Sequence, residues 1–237
     1  MTGAYAWECL LALASEPGAY PCPMTKVKVC GMTSIADAEH AAAHGAWAIG
    51  LIHHRDSPRY VEPAVGEEIG AALKRRCEIE GVFVNSTLEE VVEAAERENL
   101  TLLQFHGDEG PSFCIEAGRR TGAKVMKAFR VRSGEDIQAA EAYRTDFHLF
   151  DAHRQGVPGG TGESFDWELL AGRRSKVPLI LAGGLNPDNV AEAISIVKPF
   201  AVDVVSGVEA EPGRKDHAKV EAFLEAAGAL IPTKAAS

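Results

Sequence analysis

The chain has 237 residues, of which 46% are hydrophobic and 24% charged, with a formal net charge of −10. That balance supplies a substantial core, and the charge excludes a general nucleic-acid or anionic-membrane binder, whose partners demand a basic face. Five scattered cysteines (Cys9, Cys22, Cys30, Cys77 and Cys114) show neither a disulfide framework nor the CxxC spacing of a zinc site, and they fit a reducing cytoplasm.

Residues 1–25 read as a disordered extension. Cys9–Ala14 is apolar, but Glu8 stands where a signal peptide would be basic, and Met24 directly precedes the first convincing strand. No apolar run reaches membrane-spanning length. From Lys26 onward, short β-branched runs alternate with amphipathic stretches. Val27–Cys30 is predicted as a strand and Ile35–His44 as a helix behind a Ser34 N-cap, followed by strand Trp47–Ile52 and helix Pro63–Arg76. Strand Glu80–Val84 leads to helix Thr87–Glu98, where Leu88, Val91, Val92 and Ala95 keep helical period. Strands Leu102–Phe105, Lys124–Phe129 and Phe147–Asp151 continue the series, with helices at Ser112–Arg120 and Glu135–Tyr143 between them. Strand Leu179–Ala182, helix Asn189–Val197, strand Ala201–Val205 and helix Asp216–Leu230 complete it.

Eight strands is the count at which a parallel sheet closes on itself, so the expected fold is a single-domain (β/α)8 barrel over residues 26–232, with a tail at 233–237. Cys30-Gly31-Met32-Thr33 is no dinucleotide fingerprint, which argues against an open doubly wound sheet. In a closed barrel the residues just past strand C-termini converge on one mouth, and these are Cys30, Arg59, Asp151, Gly183-Gly184 and Ser206-Gly207. The glycines after strands seven and eight let backbone N–H groups approach a phosphate. Asp151 ends an apolar run and enters a loop bearing Gly156, Gly159, Gly160 and Gly162, the pattern of a catalytic carboxyl under a lid or of an ordinary surface turn. Cys30 reads as a base or nucleophile if its thiol is lowered, or as a buried structural cysteine. Arg59, presented by Pro58, suits a carboxylate. His106 lines the pocket or is a satisfied polar residue. His53 and His54 have no partner at ligand spacing, so no metal is assigned.

Together the segments KVKVCGMT, IGLIHHRDSPRYV, GVFVN, LQFHGDE, LFDA…GGTGESFDW, LILAGGLNPDNV and AVDVVSGVEAEPGRKD resemble the phosphoribosylanthranilate isomerase family of tryptophan biosynthesis, in the family's order over nearly all of Lys26–Leu230. The resemblance implies a β/α barrel that rearranges N-(5-phosphoribosyl)anthranilate to its 1-deoxyribulose 5-phosphate isomer without metal or cofactor. It implies Asp151 as general acid and Cys30 as general base poised toward thiolate. It also implies Arg59 on the anthranilate carboxylate, Gly183, Gly184, Ser206 and Gly207 on the phosphate, and His106, Gly160 and Asp203 as further substrate contacts. The expected partner is thus a small phosphoribosyl compound rather than nucleic acid or membrane, with monomer or homodimer left open. Val205 stands where a serine is usual, and His53-His54 where apolar or aromatic residues are usual. Two other readings are a histidine-pathway phosphoribosyl isomerase, which would carry aspartates at the ends of strands one and five, and a non-catalytic ligand sensor on the same barrel.

Overall fold

Eight short strands pair in parallel in sequence order, and β8 returns to β1 to close the barrel. The computed structural model describes residues 25–151, 167–171, 173 and 175–230. The expectations for an extension at 1–24, for the loop carrying Gly160 and for a tail at 233–237 lie outside the described residues. The order is β1 Lys26–Cys30, α1 Ile35–Ala43, β2 Ala48–Ile52, α2 Pro63–Leu73, β3 Glu78–Phe83, α3 Leu88–Arg97, β4 Leu102–Phe105 and α4 Pro111–Thr121. It continues with β5 Lys124–Arg130, α5 Gly134–Ala139, β6 Phe147–Asp151, α6 Glu168–Ala171, β7 Leu179–Ala182, α7 Val190–Val197, β8 Ala201–Val204 and α8 His217–Ala226. Between β8 and α8 lies a hairpin that the strand pattern does not predict, β9 Glu209–Glu211 and β10 Arg214–Lys215, turned by Pro212 and Gly213.

Local chemistry sets the ends of these elements. Thr87 and Ser133 close capping boxes with Glu90 and Asp136, and Ser34 accepts from the Asp37 N–H. Helix α2 stops at Leu73, three residues before the predicted end, because Lys74 turns extended and Arg75 takes a left-handed φ of 68°. The chain is therefore already in β3 at Glu78, two residues earlier than its hydrophobic pattern suggests. Among the described residues, no helix is long and apolar enough to cross a membrane.

Side chains two apart on a strand share a face. On the outward face Val27, Val29, Ile49, Leu51 and Leu103 pack under the helices. Inside, Leu102, Met126, Phe147, Leu149 and Ile180 form a separate apolar cluster, with Trp47 and Phe200 against it. A polar layer lies within the barrel as well. Lys28 Nζ, fully buried, meets Glu80 Oε2 at 2.5 Å, Gln104 Oε1 at 2.7 Å and Asp203 Oδ2 at 3.3 Å. Burial alone would lower Lys28, but the nearby anionic groups, Asp203 first, outweigh it and hold the ammonium above the usual lysine range. One lysine cannot neutralise two buried carboxylates, and burial pushes Glu80 up to about 7 against the pull of Lys28.

That shift has a sign that can be tested. Between its ordinary value of 4.5 and about 7, Glu80 keeps a proton in the folded protein that the unfolded chain has released. Its contribution to stability is therefore complete at low pH and is lost as pH rises through about 7. In urea unfolding, the stability of the natural protein relative to Glu80→Gln is expected to fall between pH 4.5 and 7 and to level off above. A difference that stays constant across that window would contradict the assignment.

Candidate active site

Cys30 ends β1 and points inward, on the same face as Lys28. Its register partner on β2 is Gly50, where a Cβ would stand only 2.6 Å from the Cys30 sulfur. Any larger residue at Gly50 would push the thiol out of place. On the far side of the barrel, Asp151 ends β6, next to Ala182 of β7. Both open onto one cavity of about 290 Å³ at the C-terminal ends of the strands, and Arg59, His106, Gly183, Gly184, Asp203 and Ser206 line it with them. The structure thus brings together all but two of the expected site residues. Gly207 packs behind the wall, where a Cβ would overlap the Leu185 carbonyl oxygen. Gly160 lies outside the described residues.

The glycine turn after β7 requires its residues. Gly183 and Gly184 both have positive φ, 95° and 66°, a region that side chains with a Cβ rarely adopt. Asn189 pins the turn by donating to the Gly184 carbonyl (3.1 Å) and accepting from the Asn186 N–H (2.9 Å). Val205 shares the cavity wall and offers no hydroxyl. The other departure from the family pattern does not touch the cavity. His53 stacks on Phe83 and lies 3.0 Å from Glu98 Oε2, under the helices.

A chain of side chains that begins in the polar layer leads toward Asp151. Lys28 donates to Gln104 Oε1, which fixes the amide and leaves Gln104 Nε2 as a donor to His106 Nδ1 at 3.1 Å. His106 therefore carries its proton on Nε2, which faces Asp151 Oδ2 at 3.9 Å. Burial holds His106 below the usual histidine range, although Asp151 pulls the other way. Asp203 is raised by burial against Lys28, and its Oδ1 is buried with no hydrogen-bond partner among the described residues.

The structure adds a constraint at each of Cys30 and Arg59. The Cys30 thiol sits where burial disfavours its thiolate form. It is 3% exposed, and burial pushes it up to about 12, more than the opposing charge of Lys28 recovers. Arg59 lines the cavity as expected and is also forked onto Glu209, with Nε to Oε1 at 2.8 Å and Nη2 to Oε2 at 2.7 Å. Glu209 also accepts from Lys215 Nζ at 3.1 Å. Burial disfavours its charge, but Arg59 and Lys215 win, and its carboxyl lies below the usual range. The fork uses two of the five guanidinium donors and fixes the plane in which the others project. Glu209, Lys215, Gln104 and Gly50 were missed by the strand-end argument, although Glu209 stands inside the quoted VSGVE segment.

A closed parallel barrel whose titratable groups meet at the strand C-termini defines a barrel enzyme acting on one small, polar substrate. The family model described as N-(5'phosphoribosyl)anthranilate (PRA) isomerase matches residues 27–226. An N-(5'-phosphoribosyl)anthranilate isomerase of Geobacter metallireducens is 46% identical over 206 residues, covering 87% of this chain and all of that protein. The crystal structure of the Thermotoga maritima phosphoribosyl anthranilate isomerase superposes with a TM-score of 0.80 at 39% identity, covering 86% of this chain and 99% of that one. A phosphoribosyl anthranilate isomerase in complex with reduced 1-(o-carboxyphenylamino)-1-deoxyribulose 5-phosphate matches with a TM-score of 0.77 at 37% identity, with the same coverage. The chain belongs to the N-(5'-phosphoribosyl)anthranilate isomerase family, the aldose–ketose isomerases of tryptophan biosynthesis.

Proposed function

We propose that this cavity converts N-(5'-phosphoribosyl)anthranilate to 1-(o-carboxyphenylamino)-1-deoxyribulose 5-phosphate, with Asp151 as general acid and Cys30 as general base. The observation that carries this reading is that the two groups open onto one cavity that also holds the Gly183-Gly184 turn and Ser206. Backbone donors of the β7 and β8 loops anchor the phosphate, and Gly207 lets the β8 loop pack against Leu185 behind them. Arg59, aligned by Glu209, takes the anthranilate carboxylate. His106 and the unpartnered Asp203 oxygen meet the sugar hydroxyls. Gly160 is retained as a substrate contact on its GGTG motif alone.

The chemistry then follows in order. Asp151 gives a proton to the furanose oxygen as its bond to C1 breaks, and the anilino nitrogen supplies the electron pair that makes C1=N an iminium. That cation acidifies the C2 hydrogen. Cys30, its own proton released to solvent, removes it as the thiolate, and the electrons form the C1=C2 bond of an enolamine with neutral nitrogen. C1 then takes a proton while the C2 hydroxyl loses one, which gives the ketone and no net change in composition. Protons are the only things exchanged with the protein, so the steps as written need no cofactor. The iminium also supplies positive charge beside Cys30, which offsets the burial that disfavours the thiolate.

A steady-state assay with N-(5'-phosphoribosyl)anthranilate is expected to show turnover, and the aldose substrate of the histidine-pathway isomerase little or none. The β1 and β5 ends support this selectivity, since they carry Cys30 and Arg130 rather than a pair of aspartates. Turnover of the histidine-pathway substrate alone would contradict the reading, and so would binding of N-(5'-phosphoribosyl)anthranilate without turnover.

A further inference from the structure

On the outer ring of the barrel, α1 and α8 pack side by side. His40 on α1 and His44 at its C-cap are four residues apart and so project from one face. Glu221 reaches them from α8. His40 Nε2 lies 3.1 Å and His44 Nε2 3.7 Å from the same oxygen, Glu221 Oε1, and the three ligand atoms fall within 4.8 Å of one another. His44 Nδ1 is 2.8 Å from the His40 carbonyl oxygen, which can only accept, so the ring proton is on Nδ1 and Nε2 presents its lone pair. His40 Nε2 is buried and makes no hydrogen bond, in spite of its short approach to the carboxylate. Two nitrogen atoms and a carboxylate oxygen therefore converge, and no hydrogen bond joins His40 Nε2 to Glu221.

Their spacing suits a small tetrahedral ion. Zinc bonds of about 2.0–2.1 Å place neighbouring ligand atoms about 3.3 Å apart, between the two observed distances. A second layer steadies the first: the His217 ring stacks on His40 at 3.8 Å, and Asp37 holds His217 Nε2 at 2.9 Å. Glu221 is half-exposed, which leaves a fourth position open to water.

We propose that His40, His44 and Glu221 form a binding site for a divalent transition-metal ion, zinc by its donor set, which staples the first helix of the barrel to the last. This goes beyond the sequence pattern, which assigned no metal, and the site is remote from the residues that carry the isomerisation. Its test needs no substrate.

Zinc is titrated into the full chain after treatment with a chelator, against a chromophoric competitor. The natural protein, Glu221→Gln, His44→Gln and, as a control for a cysteine-borne site, Cys30→Ser are compared. The natural protein and Cys30→Ser are expected to bind one zinc with a Kd below about 10 µM, and the other two at least about tenfold more weakly. Zinc at a hundredfold excess over Kd should raise the Tm by about 5 °C or more in the natural protein but not in Glu221→Gln. The metal-free Tm of Glu221→Gln should stay within about 2 °C of the natural protein, since the residue is largely at the surface. No binding at about 100 µM zinc would show that the cluster is an ion-pair network only. Equal affinity in all four proteins, or loss confined to Cys30→Ser, would place the ion elsewhere. Each of these results overturns the proposal.

Discussion

Asp151→Asn is expected to lower kcat by about 10²- to 10⁴-fold while leaving KM within a small factor. Asparagine keeps the size of the side chain and its place at the end of β6, but it has no acidic proton for the ring oxygen. Without that proton the C1–O bond must break to an alkoxide, which the apolar wall of Leu149, Val82 and Ala182 does nothing to stabilise. The His106 Nε2 proton, 3.9 Å from Asp151, does not replace it, because the Gln104 contact and the Lys28 anchor hold the imidazole in place. Asp151→Asn with undiminished kcat and unchanged Tm would remove the carboxyl from the mechanism.

Cys30→Ser should be as damaging, with a fall of about 10²- to 10⁴-fold in kcat. The hydroxyl fits beside Gly50 more easily than sulfur does, so the fold and substrate binding are retained. A serine alkoxide is far less accessible than a thiolate, and the same burial that pushes the thiol up to about 12 would act on it. The loss should therefore appear in kcat with KM little changed, as expected for a group that acts only in the transition state. Near-full kcat in this variant would mean that another group takes the C2 proton.

The strands were legible because each is a short β-branched run ending at a turn signal, and the strand ends pointed to Cys30, Asp151 and the glycine turns. The partners of those residues were harder to read. Arg59 and Glu209 are 150 residues apart in sequence and meet only because β8 closes on β1. The hairpin that carries Glu209 has strands of three and two residues, too short for a period to register, although Pro212-Gly213 is a turn signal. The polar layer did leave a trace: Lys28 within KVKVC and Glu80 within EIEGV place charges on the inward face of otherwise apolar strands. The sequence shows that a thiol ends a strand at Cys30 but not how completely its neighbours exclude water. His40 and His44 show helical ligand spacing in the sequence, whereas Glu221 joins them only through the packing of α8 on α1.

The acid and base assignments separate most directly in the primary isotope effect on kcat with substrate deuterated at the ribosyl C2. Removing the base makes C2–H cleavage the slow step, so the effect should rise in Cys30→Ser. Removing the acid makes ring opening the slow step, so it should fall toward unity in Asp151→Asn. Equal isotope effects in the two variants, or the reverse order, would contradict the assignment of a carboxyl that opens the ring and a thiol that takes the C2 proton.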